Sequence, residues 1–292
     1  MMLGKGEMGT PVIDELRVCY IADPSLLADL AKIEIGKSWE FAPFTLFRQG
    51  SDTYDFLFAI CIGDLGNRQQ IGLLKFGRYG AKDAPYTYYK VSNQALYSPD
   101  IFRLALSLPE MLGMVFNNLT AIDIAIDYRK NTSAIIKRMM RNEEVTTILN
   151  GRALKDRAKI IPGITVDYST SLKRLHCPTI TMRQAKAIHN KEKGITVQSY
   201  DKKAEVEASS GKEYILDYYG RPRFLFRLEV RLHYQELKDF CSKIGMVQSI
   251  EMVFDPAFLD AAFYYHLATV LRFTKGRRKL DWRDIIACTG RV

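Results

Sequence analysis

Three stretches of the chain alternate apolar and polar residues with a period of two, and this repetition narrows what the chain can fold into. Leu119 to Tyr128 (LTAIDIAIDY) sets Ile122, Ile124 and Ile126 against Asp123, Ala125 and Asp127. Ile195 to Tyr200 (ITVQSY) sets Ile195, Val197 and Ser199 against Thr196, Gln198 and Tyr200. Phe224 to His233 (FLFRLEVRLH) sets Phe224, Phe226, Leu228, Val230 and Leu232 against Arg227, Glu229, Arg231 and His233. Successive side chains of a strand point to opposite faces, so each stretch is predicted to be a strand with one core face and one polar face. Side by side in one sheet, their polar faces bring Asp123, Tyr200 and Glu229 together. Lys202 follows two residues beyond Tyr200, on the same side.

The remainder predicts an α+β chain. Tyr54 to Ile62 and Gln69 to Phe76 flank the turn-forming Gly63 to Asn67 and form a hairpin. Tyr86 to Val91 (YTYYKV) is a third strand whose tyrosines suit a sheet edge or a stacking surface for bases. Ser98-Pro99 opens a helix that Pro109 should kink or split, with the apolar spacing resuming through Leu112, Val115 and Phe116. Thr132 to Asn142 reads as a basic helix, followed by the basic stretch Arg152, Lys155, Arg157 and Lys159. Ala208 to Gly220 reads as a flexible hairpin or loop at the edge of the site. Gln235 to Ile244 is a helix that Gly245 can terminate, and a closing helix starts at Asp255-Pro256 and runs to Phe273. The expected division is 1–118, a β-rich DNA-contacting half with a helix; 119–245, a half carrying the three patterned strands; and 246–292, a helical end.

Lys and Arg outnumber Asp and Glu by 42 to 33, a net charge of +9, which points to a polyanion such as nucleic acid. Arg129, Lys130, Lys137, Arg138, Arg141, Arg277 and Arg278 are the candidate phosphate contacts, against the alternative of solvated helix faces. No run of about 18 apolar residues is present and the first residues lack a secretory layout, so a cytoplasmic protein with no membrane partner is expected. The five cysteines are scattered without zinc-ligand spacing and are expected to be reduced thiols.

Carboxylates on adjacent strands are hard oxygen ligands suited to Mg²⁺ or Mn²⁺, and Asp123 and Glu229 are the expected pair, with Asp127 a third candidate. A tyrosine hydroxyl is a weak nucleophile at neutral pH and needs a metal or a nearby cation; Lys202, Arg227 and Arg231 are within reach by this scheme. The plainer reading is a half-exposed sheet. In it Glu229 belongs to a ladder of ion pairs, Asp127 starts a loop or caps the helix near Thr132, and His233 is structural.

Three blocks in order carry a family likeness: Ile122-Asp123-Ile124-Ala125-Ile126, Tyr200-Asp201-Lys202-Lys203-Ala204-Glu205, and Phe226-Arg227-Leu228-Glu229-Val230-Arg231. Over roughly residues 55 to 245 the chain resembles the replication initiators of filamentous phages. More distantly, it is similar to plasmid rolling-circle initiators and conjugative nickases that lack paired histidines. The resemblance implies a divergent rolling-circle nicking-enzyme (ferredoxin/RRM-like) fold, a central antiparallel sheet with helices behind, or two fused halves. It implies Tyr200 as nucleophile, Lys202 as the basic residue of its block with Glu205 in support, and Asp123 and Glu229 as metal-binding positions. The substrate would be single-stranded or supercoiled DNA at a replication origin, with host helicase and polymerase as partners. Two departures stand out. His176, His189, His233 and His266 are isolated, so a metal site leans on carboxylates, and the chain stops soon after the last block.

The expected function is therefore strand nicking and joining through a 5′-phosphotyrosine. Its alternatives are a non-enzymatic origin-binding protein and a relaxase of a mobile element. A tyrosine recombinase fits poorly, because Tyr200 lies on a predicted strand.

Overall fold

The computed structural model describes residues 6–64, 66–78, 85–154, 164–167, 179–184, 187 and 193–287. The chain is α+β, built on antiparallel sheets with helices, and divides into two compact units. One comprises Asp14–Ile122 with Gln248–Ile250; the other comprises Met1–Ile13, Asp123–Val247 and Glu251–Val292.

In the first unit the strands are β1 (Pro11–Ile21), β2 (Ser38–Phe41), β3 (Phe44–Gln49), β4 (Tyr54–Ile62), β5 (Gln69–Arg78), β6 (Tyr86–Val91) and the start of β7 (Val115–Tyr128). Their order is β7-β1-β6-β5-β4-β3-β2, with antiparallel pairing from β1 through β2. The expected hairpin is β4–β5, and YTYYKV is β6. The sequence reading leaves β1 to β3 and the helix Pro24–Ala31 unassigned. Leu16, Val18, Phe58, Ile60, Leu74, Tyr89 and Val91 form the core side, and the helix Pro99–Met111 adds Ala105 and Leu108.

Two expectations change here. The helix Pro99–Met111 passes through Pro109 and ends two residues later, so the proline falls in its last turns and splits nothing. The apolar spacing does not resume as helix, because Gly113 takes a left-handed φ of 69° and turns the chain into β7, which starts at Val115. Asn117-Asn118 lies inside that strand.

In the second unit the end of β7 is followed by β8 (Thr146–Leu149), β9 (Arg152–Ala153), β10 (Ile164–Asp167), β11 (Thr179–Arg183), β12 (Thr196–Asp201), β13 (Phe226–His233), β14 (Leu271–Lys275) and β15 (Arg278–Lys279). The main sheet runs β10-β11-β12-β13-β7 and a small one runs β15-β14-β8-β9. Helices Thr132–Arg141, Tyr234–Lys243 and Pro256–Val270 form where the spacing predicts them. Asn131 caps the first by accepting from Ala134 N at 2.8 Å, and Gly245, at φ 72°, follows the end of the second.

The apolar face of the main sheet carries helices. Ser133 Oγ donates to Ser199 O at 3.0 Å, and the hydroxyls of Tyr128 and Tyr264 meet at 3.3 Å. Val197, Leu228, Val230, Ile124 and Ile126 are fully buried beneath them.

Three segments differ from expectation. Ala208 to Gly220 is not a loop: a π-helical turn, Val206–Ser210, leads to the helix Glu213–Tyr218, anchored by buried Ile215 and Leu216. The closing helix stops at Val270, and Leu271–Lys275 is a strand pairing with β8, because Leu271 and Phe273 alternate into the core. Lys275 to Lys279, which includes the candidate phosphate contacts Arg277 and Arg278, spans the β14–β15 turn. Lys155, Arg157 and Lys159 lie outside the described residues, as do Cys177 and Cys288; Cys19, Cys61 and Cys241 are free thiols. Among the described residues no helix is long and apolar enough to cross a membrane.

Candidate active site

The polar faces of β7, β13 and β12 meet because these strands are neighbours in the order β12-β13-β7. Register sets Gln198 opposite Glu229 and Tyr200 opposite Arg227. Tyr200 leans diagonally, and its hydroxyl donates to Glu229 Oε2 at 3.0 Å. On the other side of β13, Arg231 Nε donates to both oxygens of Asp123, at 3.0 and 2.9 Å, and its Nη2 lies 2.7 Å from Asp123 Oδ2. The same Nη2 is 3.6 Å from Glu229 Oε1. Arg231 therefore bridges the two carboxylates, and Glu229 joins that bridge to Tyr200.

This polar face is not the half-exposed surface that alternation suggests. Asp123 and Glu229 are 2% and 4% exposed, whereas the Arg231 side chain is 41% exposed and Tyr200 is half-buried, so the site opens only at their end. Two carboxylates with so little water need compensating charge or donors, which Arg231 and Tyr200 supply.

Asp127 is kept apart from this group. Arg227 Nε donates to Asp127 Oδ1 at 2.8 Å and Nη2 to Oδ2 at 2.6 Å, in a fork completely shielded from solvent. Asp127 therefore neither starts a loop nor caps a helix. Its charge, after burial, contributes to pushing the Tyr219 hydroxyl far above the ordinary tyrosine range.

Lys202 is not on a strand. β12 ends at Asp201, whose Oδ1 caps the next turn by accepting from Ala204 N at 3.0 Å, so Lys202 begins a short helix. Its side chain is 2% exposed; Nζ lies 2.9 Å from Glu205 Oε2 and 5.6 Å from the centre of the Tyr200 ring. The Tyr-x-Lys-x-x-Glu block thus folds into one unit in which Glu205 balances the buried ammonium beside the tyrosine. His233 is buried at the end of β13.

For a divalent ion the donor set is Asp123 and Glu229. Among the described residues no three His, Cys, Asp or Glu side chains converge. Their hard oxygen donors are of the kind Mg²⁺ or Mn²⁺ would need, and Arg231 is the cation that holds both of them in this structure.

No family model and no curated protein matches the chain. The chain is similar to a solved rolling circle replication initiator protein from Geobacillus stearothermophilus, with a TM-score of 0.41 and 14% identity, covering 81% of this chain and 78% of that one. It is also similar to Methanococcus jannaschii TBP, with a TM-score of 0.26 and 9% identity over 80% of this chain and 95% of that one.

The basic candidates lie outside the Tyr200 group. Arg129, Arg138 and Arg141 are exposed around the Thr132–Arg141 helix, with Lys137 half-buried, and Arg277 and Arg278 are exposed in the β14–β15 hairpin. Lys130 is otherwise employed: its Nζ donates to Ile286 O and Ala287 O at 3.2 and 2.8 Å. The sequence reading overlooks Gln198, which the register sets opposite Glu229 and which donates to Thr181 Oγ1 at 3.2 Å. Its place on the Tyr200 side of an alternating strand was the available signal. It also overlooks Tyr219, for which there was none, since that segment reads as loop.

Proposed function

We propose that the chain is a single-strand DNA nicking and joining enzyme that initiates rolling-circle replication, with Tyr200 as nucleophile. The observation that carries this reading is the hydrogen bond from the half-buried Tyr200 hydroxyl to the buried Glu229 carboxylate, 3.0 Å long. A phenol with an ordinary pKa of about 10 requires a proton acceptor to attack at neutral pH, and Glu229 is in contact with it. In the forward step Tyr200 Oη forms a bond to phosphorus and passes its proton to Glu229. The bond from phosphorus to the 3′ oxygen breaks, and that oxygen takes up a proton from solvent water. The product is a 5′-phosphotyrosine and a free 3′ hydroxyl that can prime synthesis; joining is the reverse.

Arg231, partly exposed at the open end, offers positive charge to the scissile phosphate, and Lys202 places positive charge beside the phenolate. Mg²⁺ or Mn²⁺ held by Asp123 and Glu229 would supply Lewis-acid polarisation of the phosphate. The exposed arginines Arg129, Arg138, Arg141, Arg277 and Arg278 contact flanking phosphates.

The test is incubation with supercoiled DNA of the replicon that carries the protein. Nicked circles and a denaturant-resistant protein–DNA adduct are expected, both lost in Tyr200→Phe with folding retained. An adduct that survives Tyr200→Phe refutes the assignment. Salt-sensitive binding with no cleavage under any metal would leave a non-enzymatic origin-binding protein.

A further inference from the structure

The unit 14–122 has a sheet surface that the nicking chemistry does not use. Along β6, Thr87, Tyr89 and Val91 are buried, so Tyr86, Tyr88 and Lys90 face the other way. Register places Tyr88 beside Cys19 on β1 and Lys75 on β5, and places Lys90 beside Arg17. Tyr86 is 43% exposed, and the rings of Tyr54 and Tyr88 lie 6.1 Å apart. Lys75 Nζ sits 5.4 Å from the centre of the Tyr54 ring.

Three cations lie close together on this face. Arg17 and Lys90 share one carboxylate, Glu15, at 2.6 and 2.7 Å, and Lys75 makes no ion pair among the described residues. Burial, then repulsion from Lys90 and Arg17, holds the Lys75 ammonium below its ordinary pKa, with Glu15 opposing. A bound anion would relieve that repulsion.

Flat aromatic rings on a sheet, interleaved with cations of which Lys75 makes no ion pair among the described residues, match the two needs of an unpaired strand: a surface for bases and counter-charge for phosphates. A duplex, whose bases are already stacked on one another, would use only the charges. We propose that this face is a platform for single-stranded nucleic acid, with Tyr86 and Tyr88 stacking on bases and Lys75, Lys90 and Arg17 meeting phosphates. The inference stands apart from the role of Tyr200.

The experiment is fluorescence anisotropy of the full chain with fluorescein-labelled oligo(dT) of about 20 nucleotides, at several salt concentrations. Tyr86→Ala with Tyr88→Ala should weaken binding by about tenfold or more, whereas the pair Tyr86→Phe and Tyr88→Phe should retain it, because stacking needs the ring and not the hydroxyl. Lys75→Gln should reduce the slope of log K against log salt by about 0.7. If the double alanine variant loses its native circular dichroism, Tyr86→Ala alone and Lys75→Gln carry the test. Wild-type affinity in folded alanine variants overturns the proposal, as does duplex DNA competing as well as unlabelled oligo(dT). Loss of the Tyr200 adduct leaves this binding unchanged, so the two readings fail separately.

Discussion

Asp127 and Arg227 form a two-pronged ion pair from which solvent is completely excluded, with N–O distances of 2.8 and 2.6 Å. The pair ties β7 to β13 directly beside the Tyr200 group. Removing one partner would strand the other charge in the interior. Arg227→Met is expected to lower unfolding free energy by about 3–5 kcal/mol, and adding Asp127→Leu should restore most of it. Urea denaturation of the three proteins checks this; a single variant as stable as the wild type contradicts it.

Glu229→Gln keeps an acceptor for the Tyr200 hydroxyl but removes the base. Single-turnover nicking should fall by about 10²–10⁴-fold while DNA affinity stays within a few-fold. Cleavage at the wild-type rate would assign the proton to another acceptor.

Arg231 stands where a cation between Asp123 and Glu229 would stand. Arg231→Gln should therefore tighten Mn²⁺ binding, by roughly tenfold if about 1.4 kcal/mol of competition is removed. Calorimetric titration with Mn²⁺ alone reads this without reference to activity. Unchanged or weaker binding would place any metal elsewhere.

His266 is buried in the helix Pro256–Val270, and desolvation, the largest cause, holds its pKa below the ordinary 6.5. The neutral ring is fixed by Nδ1, 2.7 Å from Ala262 O. Because the unfolded chain takes up the proton first, this contribution to stability is complete above about pH 6.5. It is lost as pH falls from there through the depressed folded value. His266→Gln should flatten the melting temperature between pH 7 and 5; an identical pH profile would show that another group governs the acid limb.

Alternation in β7, β12 and β13 was enough to define three strands and the side of each that carries Asp123, Tyr200 and Glu229, since facing follows from backbone geometry alone. Caps and breakers were legible for the same local reason: Asp255 and Gly245 act within a turn of their own position, whereas Asn131, the actual cap of the Thr132–Arg141 helix, went unread in favour of Asp127. Gly113 was equally local, and the longer apolar spacing around it obscured it.

What sequence could not decide was anything that depends on a neighbour far along the chain. Alternation cannot say whether a polar face meets water, and here it is largely buried, because β13 lies between β7 and β12. Sequence therefore offered Asp127 as a third candidate ligand behind Asp123 and Glu229, on the same face of the same strand as Asp123. Tertiary register alone gave Asp127 to Arg227 in the interior and Asp123 to Arg231 at the open end. Likewise, Lys202 reads as a cation on the Tyr200 side of a continuing strand, two residues past the tyrosine. The end of β12 at Asp201 turns it into a buried ammonium beside the tyrosine ring. Strand identity and facing are set by residues one and two apart; pairing partners and burial are set by contacts about a hundred residues apart, and only the folded chain brings those together.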